Sequence, residues 1–128
     1  MTYAPFDLSG KVALVTGGNR GIGLGMAKAL AASNASLAIW GRKAAANTAA
    51  VEELSHLGTG DVKAWTVDVA DEQAVIDATV DVVSSMGRID SCFANAGVGF
   101  GAASFVEMTT EIWRKNMAVN MEGAFWTL

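Results

Sequence analysis

The sequence predicts an α/β fold, a doubly wound parallel sheet with helices on both faces. Three observations carry it. Short apolar runs alternate with longer amphipathic stretches along all 128 residues, the pattern of strands joined by crossover helices. The first run feeds directly into a glycine-rich turn. No linker or low-complexity stretch breaks the alternation, so residues 1–128 read as a single domain.

The elements follow in order. Lys11 to Thr16 is continuously apolar after its first residue, as a strand buried on both faces should be. After the glycine turn, Ile22, Met26, Ala29 and Leu30 recur at helical spacing and mark the face expected to pack inward. Ser36 to Gly41 reads as the second strand. Ala44 to Leu57 reads as a helix with Ala50, Val51, Leu54 and Leu57 on one side and Gly58 as its stop. Val62 to Val67 is the third strand. Asp71 and Glu72 open the next helix, where carboxylates favour the positive end of the dipole. Its stripe is Val75, Ala78, Val82 and Met86, and it stops at Gly87. Asp90 to Ala94 is a fourth strand with Cys92 as a buried packing residue. A glycine-rich loop, Gly97 to Gly101, follows. Thr109-Thr110-Glu111 then caps a last helical region that reaches Leu128. That region is still apolar where the chain stops. A truncated C-terminus is therefore expected, with Met121, Phe125 and Trp126 left as an exposed apolar patch.

Composition removes several classes of function. Hydrophobic residues make up 52% of the chain, enough to bury a core rather than stay disordered. A net charge of −4 without basic runs argues against nucleic acid as a partner. No apolar stretch reaches the roughly 18 residues of a membrane span. Met1 to Asp7 lacks the basic-then-apolar pattern of a secretory signal. Cys92 is the single cysteine, so no intrachain disulfide and no metal site are expected. The cytoplasm fits these features best. There the Asn34-Ala35-Ser36 sequon is idle, and His56 reads as a surface residue near a helix end.

Charge is unevenly placed. Between Leu8 and Val51 lie Lys11, Arg20, Lys28, Arg42 and Lys43 and no carboxylate; all 13 acidic residues lie elsewhere. This basic segment reads either as an alanine-rich solvated surface or as a local anion site.

The turn Thr16-Gly17-Gly18-Asn19-Arg20-Gly21-Ile22-Gly23 favours the second reading. Gly17 permits a tight turn. Gly21 lets backbone N–H groups approach a pyrophosphate, and Gly23 lets the helix pack closely on the strand. In the first βα unit of a βαβ series, such a turn points to a dinucleotide.

The spacing is T-G-x-x-x-G-x-G, and here the chain resembles the short-chain dehydrogenase/reductase family. Asp68-Val69 after the third strand, Asn95-Ala96-Gly97 after the fourth, and Val119-Asn120 in the last helix resemble the same family. The resemblance implies a Rossmann-type fold with strand order 3-2-1-4, the family's C-terminal strands being absent. It also implies roles for individual residues. The loop from Gly17 through Gly18, Asn19, Arg20, Gly21 and Ile22 to Gly23 would hold the pyrophosphate. Asp68 would accept from the adenine amine and the Val69 backbone would border the ring. Asn95, Ala96 and Gly97 would line the ribose beside the nicotinamide. Asn120 resembles the catalytic asparagine that kinks the helix and holds a water of the proton relay. Trp113 and Trp126 lie on the helix that builds a subunit interface in the family, which implies a homo-oligomer.

The preferred cofactor is NADP(H), with NAD(H) possible. An NAD site usually places an acidic residue about 20 residues beyond the turn to bind the ribose 2′-OH. Gly41 stands there instead, and Arg42 follows, able to pair bidentately with a 2′-phosphate.

The family's chemistry needs a serine and a tyrosine with a lysine four residues later. The only tyrosine is Tyr3, and no Y-x-x-x-K occurs. The expectation is the cofactor-binding half of an oxidoreductase that interconverts a small-molecule alcohol and a ketone, inactive by itself. The alternative is a non-catalytic dinucleotide-binding or redox-sensing module on the same scaffold.

Overall fold

The computed structural model describes residues 4–128; Tyr3 lies outside them. Strands β1 (Val12–Thr16), β2 (Ser36–Gly41), β3 (Val62–Thr66) and β4 (Ser91–Phe93) form one sheet in the order β3-β2-β1-β4. Every pairing is parallel: Leu14 lies opposite Ala38 on one side and Cys92 on the other. Helices α1 (Gly21–Ala32), α2 (Ala44–Ser55) and α3 (Glu72–Met86) connect the strands, and α4 (Thr110–Met117) and α5 (Gly123–Thr127) follow β4.

Side chains of β1 and β2 alternate between two cores. Ala13, Val15, Leu37 and Ile39 meet Ala27 and Ala31 of α1 and Ala50 and Leu54 of α2. Leu14, Ala38 and Trp40 meet Val67 and Val69 after β3 and Val75, Ala78 and Val82 of α3. Burial on both faces is why β1 and β2 read as unbroken apolar runs. β3 and β4 are the sheet edges and are only partly buried. Cys92 is therefore half-buried rather than fully enclosed; that burial still pushes its thiol pKa up.

Helix ends obey local chemistry. The Asp71 carboxylate accepts from the Ala74 N–H at 3.1 Å and caps α3, which stops where Gly87 takes φ 84°. The Thr109 hydroxyl accepts from the Ile112 N–H at 3.2 Å and caps α4. Asp90 joins two strand starts. Its carboxylate accepts from the Val12 N–H at 2.8 Å and pairs with Lys11 and Arg88.

The helices correct several further expectations. The inward face of α1 is Gly23, Ala27 and Ala31, not the set containing Ile22 and Ala29, both of which are exposed. Small residues four apart let the helix axis approach the sheet, while Leu24, Met26 and Leu30 fill the flanks. Second, α2 ends at Ser55, so Leu57 and Gly58 lie beyond it and Leu57 is exposed. Third, Met121 and Phe125 are exposed as expected, but Trp126 packs against the core beneath α3. The last helical region is also not continuous: Ala118–Glu122 forms a π-helical turn between α4 and α5.

Candidate functional site

Strand order reverses at β1, whose neighbours β2 and β4 leave its C-terminal end on opposite sides. In such sheets ligands bind in the crevice beyond that switch point. A cleft of about 370 Å³ opens there, within the size range of small-molecule sites.

The glycine turn forms one wall. Gly17 donates its N–H to the Trp40 carbonyl at 2.8 Å, which ties the turn to β2. Gly17 and Gly21 take φ 63° and 54°, where L side chains are strained. Gly23 is constrained by space. A Cβ there would strike the Gly17 carbonyl oxygen and come within 2.5 Å of Asn95 Nδ2. Gly18 lies beneath the turn, facing Ile39, and does not line the cleft.

The α1 N-terminus is open toward the cleft. Its N-cap residue, Arg20, makes no side-chain capping bond, unlike Asp71 at α3 and Thr109 at α4. The first intrahelical donor is Leu24, bonded to the Arg20 carbonyl. The N–H groups of Gly21, Ile22 and Gly23 therefore face the cleft without a protein acceptor among the described residues.

The opposite wall follows β4. Asn95 Nδ2 donates to the Thr16 carbonyl at 3.0 Å and the Gly17 carbonyl at 3.4 Å. The Thr16 hydroxyl accepts from the Ala96 N–H at 2.9 Å. The glycine turn and the β4 exit are thus locked together across roughly 80 residues of sequence, by bonds that span 78 to 80 positions.

Charge sorts itself by ion pairing. In the basic segment, Lys11 pairs with Asp90 and Lys28 with Glu53. Arg20, Arg42 and Lys43 line the cleft and pair with no carboxylate among the described residues. Asp68 is the acidic residue lining the cleft; one of its oxygens accepts from the Ala70 N–H at 3.0 Å. Val69 lies beside it, buried against Gly123 of α5.

The remaining predicted residues separate. Gly17, Asn19, Arg20, Gly21, Ile22 and Gly23 all line the cleft, as do Arg42, Asp68, Val69, Asn95, Ala96 and Gly97. Asn120 does not. It lies in the π-helical turn, and its side-chain amide donates to the Val98 carbonyl and accepts from the Val98 N–H, each at 2.8 Å. Four residues earlier, Asn116 makes the same reciprocal pair with Phe100. The two amides hold alternate residues of the loop after β4 as a neighbouring strand would.

Sequence reasoning missed Asn116, Asn47 and Trp40. Asn116 carries the visible signal, an asparagine four residues before Asn120. Asn47 is 4% exposed on α2 and bonds to Gly41, Trp65 and Asn19. Trp40 borders the cleft from within the core, and its indole N–H is buried without a partner among the described residues. No three His, Cys, Asp or Glu side chains cluster as a metal site among the described residues. No described helix is long and apolar enough to cross a membrane.

Comparison with known proteins adds independent findings. The family model described as "short chain dehydrogenase" matches residues 11–128. A sorbose reductase of Schizosaccharomyces pombe is 36% identical over 124 residues, which cover 95% of this chain and 48% of that protein. The crystal structure of a metagenomic short-chain oxidoreductase in complex with NADP superposes with TM-score 0.88 at 30% identity, over 95% of this chain and 55% of that one. NAD+-bound xylitol dehydrogenase superposes with TM-score 0.89, also at 30% identity, over 94% of this chain and 46% of that one. The chain spans about half the length of the curated relatives it matches.

Proposed function

The chain belongs to the short-chain dehydrogenase family, and on that premise we propose that it forms the dinucleotide-binding half of an NADP(H)-dependent oxidoreductase interconverting an alcohol and a ketone. The observation that carries this reading is the uncapped α1 N-terminus beside Arg20 and Arg42, cationic side chains with no carboxylate partner in the described structure. Such an arrangement is suited to a pyrophosphate and a further phosphate on the adjoining ribose.

A bound nicotinamide dinucleotide supplies the hydride chemistry that no protein side chain offers. The chain's own residues hold and orient it. The N–H groups of Gly21, Ile22 and Gly23 face the pyrophosphate, and Asn19 and Arg20 flank it. Arg42 pairs with the 2′-phosphate. Asp68 accepts from the adenine amine beside the Val69 backbone. Asn95, Ala96 and Gly97 border the ribose next to the nicotinamide. Asn120 is proposed as the active-site asparagine. With its amide engaged by Val98, it fixes the loop beside Gly97 and can help order a water, but it cannot itself supply a proton. The 128 residues contain no Y-x-x-x-K, so the proposal is that they bind the cofactor without turning over a ketone by themselves. A cytoplasmic setting and a homo-oligomeric assembly complete the reading.

The test is calorimetric titration of the chain with NADPH and with NADH. The wild type is expected to bind NADPH more tightly. Arg42→Ala removes one exposed charge-assisted contact and is expected to weaken NADPH roughly 10- to 100-fold, about 1.5–3 kcal/mol, with NADH little changed. Equal loss for both, or tighter binding of NADH by the wild type, overturns the NADP(H) assignment.

A further inference from the structure

Asn47 lies at the fourth position of α2, where a helix facing a sheet ordinarily places an apolar residue. It is 4% exposed, so each polar atom of its amide needs a partner. Nδ2 donates to the Gly41 carbonyl at 3.0 Å and to the Trp65 carbonyl at 3.1 Å. Those two bonds tie α2 to the ends of β2 and β3. Oδ1 does something different: it accepts from Asn19 Nδ2 at 2.8 Å, in the glycine turn 28 residues earlier. One buried amide thus holds the orientation of a side chain that lines the cleft.

The Asn19–Asn47 pair lies over Gly41. A Cβ built on Gly41 would strike Asn19 Nδ2 and come within 2.5 Å of Asn47 Oδ1. Gly41 has no positive φ, so space, not backbone conformation, excludes a side chain there. Position 41 ends β2, where sites for a dinucleotide without a 2′-phosphate present a carboxylate to the ribose diol. The neighbouring side chains at this edge are two neutral amides and the cations Arg20, Arg42 and Lys43.

We propose that Asn47 is a specificity-determining positioning residue: by holding Asn19 over Gly41 it bars a carboxylate from the ribose edge of the cleft and keeps that edge fit for a 2′-phosphate. The inference rests on the NADP(H) reading above and deepens it. It has a consequence that simple charge reversal does not. Gly41→Asp alone brings a carboxylate into space already filled, so the dinucleotide lacking the phosphate gains nothing until the amide pair is broken.

The experiment is a double-mutant cycle read on NADH affinity, with Gly41→Asp, Asn47→Ala and the pair. Gly41→Asp alone is expected to weaken NADH at least fivefold. Adding Asn47→Ala is expected to recover at least that factor. Additive effects overturn the proposal. Because Asn47→Ala also removes one donor from each of two carbonyls, the same cycle is run with Asn19→Ala, which breaks the pair from its more accessible side and keeps both carbonyl bonds. A ligand-free reading accompanies it. Gly41→Ala is expected to lower the thermal midpoint of the wild type by several degrees and that of Asn19→Ala by clearly less, because the Asn19 amide is gone while Asn47 Oδ1 still lies within 2.5 Å of the new Cβ. Equal lowering in both backgrounds overturns the proposal. If the wild type binds NADPH no more tightly than NADH, the NADP(H) reading falls, whereas the coupling between positions 41, 19 and 47 is decided by these cycles.

Discussion

Gly23→Ala and Gly25→Ala are the same chemical change two residues apart on α1, and the structure predicts opposite signs for them. At Gly25 a Cβ meets nothing within 4 Å and φ is not positive. Replacing a helix-interior glycine there is expected to stabilise by about 0.5–1 kcal/mol, because the unfolded chain loses backbone freedom. At Gly23 the Cβ would strike the Gly17 carbonyl oxygen, with Gly17 C at 2.8 Å and Asn95 Nδ2 at 2.5 Å. Two of these atoms are backbone, so no side-chain rotation relieves them. The helix must move off the glycine turn by on the order of 1 Å to restore ordinary contact distances. Overpacking of this kind costs about 1–3 kcal/mol, and loosening the Asn95 bonds adds about 1 kcal/mol, partly offset by the gain in helix propensity. The net expectation is destabilisation of about 1.5–3 kcal/mol, a fall in Tm of roughly 5–12 °C for a chain of this length. Thermal unfolding followed by circular dichroism measures both variants side by side. NADPH titration should show binding weakened more than tenfold for Gly23→Ala and unchanged for Gly25→Ala, since only the former displaces the turn amides. A Gly23→Ala protein as stable as Gly25→Ala would refute the claim that close helix–turn approach shapes this site.

Other expectations rest on other parts of the fold. The Val12 N–H, followed by Arg88, holds the Asp90 carboxyl below its ordinary pKa. A depressed folded-state pKa means that this contribution is fully present above the unfolded value, near 3.9, and is lost as pH falls through the lower folded value. Asp90→Asn should therefore lose less stability than the wild type between about pH 5 and pH 2 in acid unfolding; an identical acid profile would count against the assignment. Asn116→Ala removes both bonds to Phe100, so hydrogen exchange across residues 97–101 should speed by roughly fivefold or more, with unchanged protection as the contrary result. Phe105, Val106 and Phe125 are 89%, 93% and 69% exposed, and β4 pairs on one side only. The 128-residue chain is accordingly expected to self-associate as concentration rises in sedimentation velocity, and a monodisperse monomer would contradict this.

Much of the fold was legible in the residues. Val12 to Thr16 and Ser36 to Gly41 read as strands because burial on both faces leaves no polar position in them except Thr16 and Ser36 at their ends. The α3 boundaries were readable because Asp71 and Gly87 act on backbone groups within a few residues of themselves. The glycine turn was legible for the same reason: φ near 60° at Gly17 and Gly21 is a local demand. The predicted site residues other than Gly18 and Asn120 do meet at one cleft.

The parts that escaped the sequence depend on distances between segments far apart in the chain. Periodicity marks which residues of α1 are apolar, and so pointed to Ile22 and Ala29. The inward face is instead Gly23, Ala27 and Ala31, because how closely a helix approaches a sheet is set by its smallest side chains and not by its most hydrophobic ones. Cys92 read as a buried residue, but pairing along only one side of β4 leaves it half-covered. Asn120 read as resembling an active-site asparagine that kinks its helix; that its amide closes on Val98 depends on where the loop after β4 comes to lie. Asn47 carried no signal at all, since an asparagine on a helix is ordinarily solvated. Its partners at Gly41, Trp65 and Asn19 become neighbours only when α2 docks over β2 and β3. Local rules act through backbone groups a few bonds away, so a string of residues states them. The cleft's charge balance and the space over Gly41 arise where separate segments meet, and only the packed chain decides which segments those are.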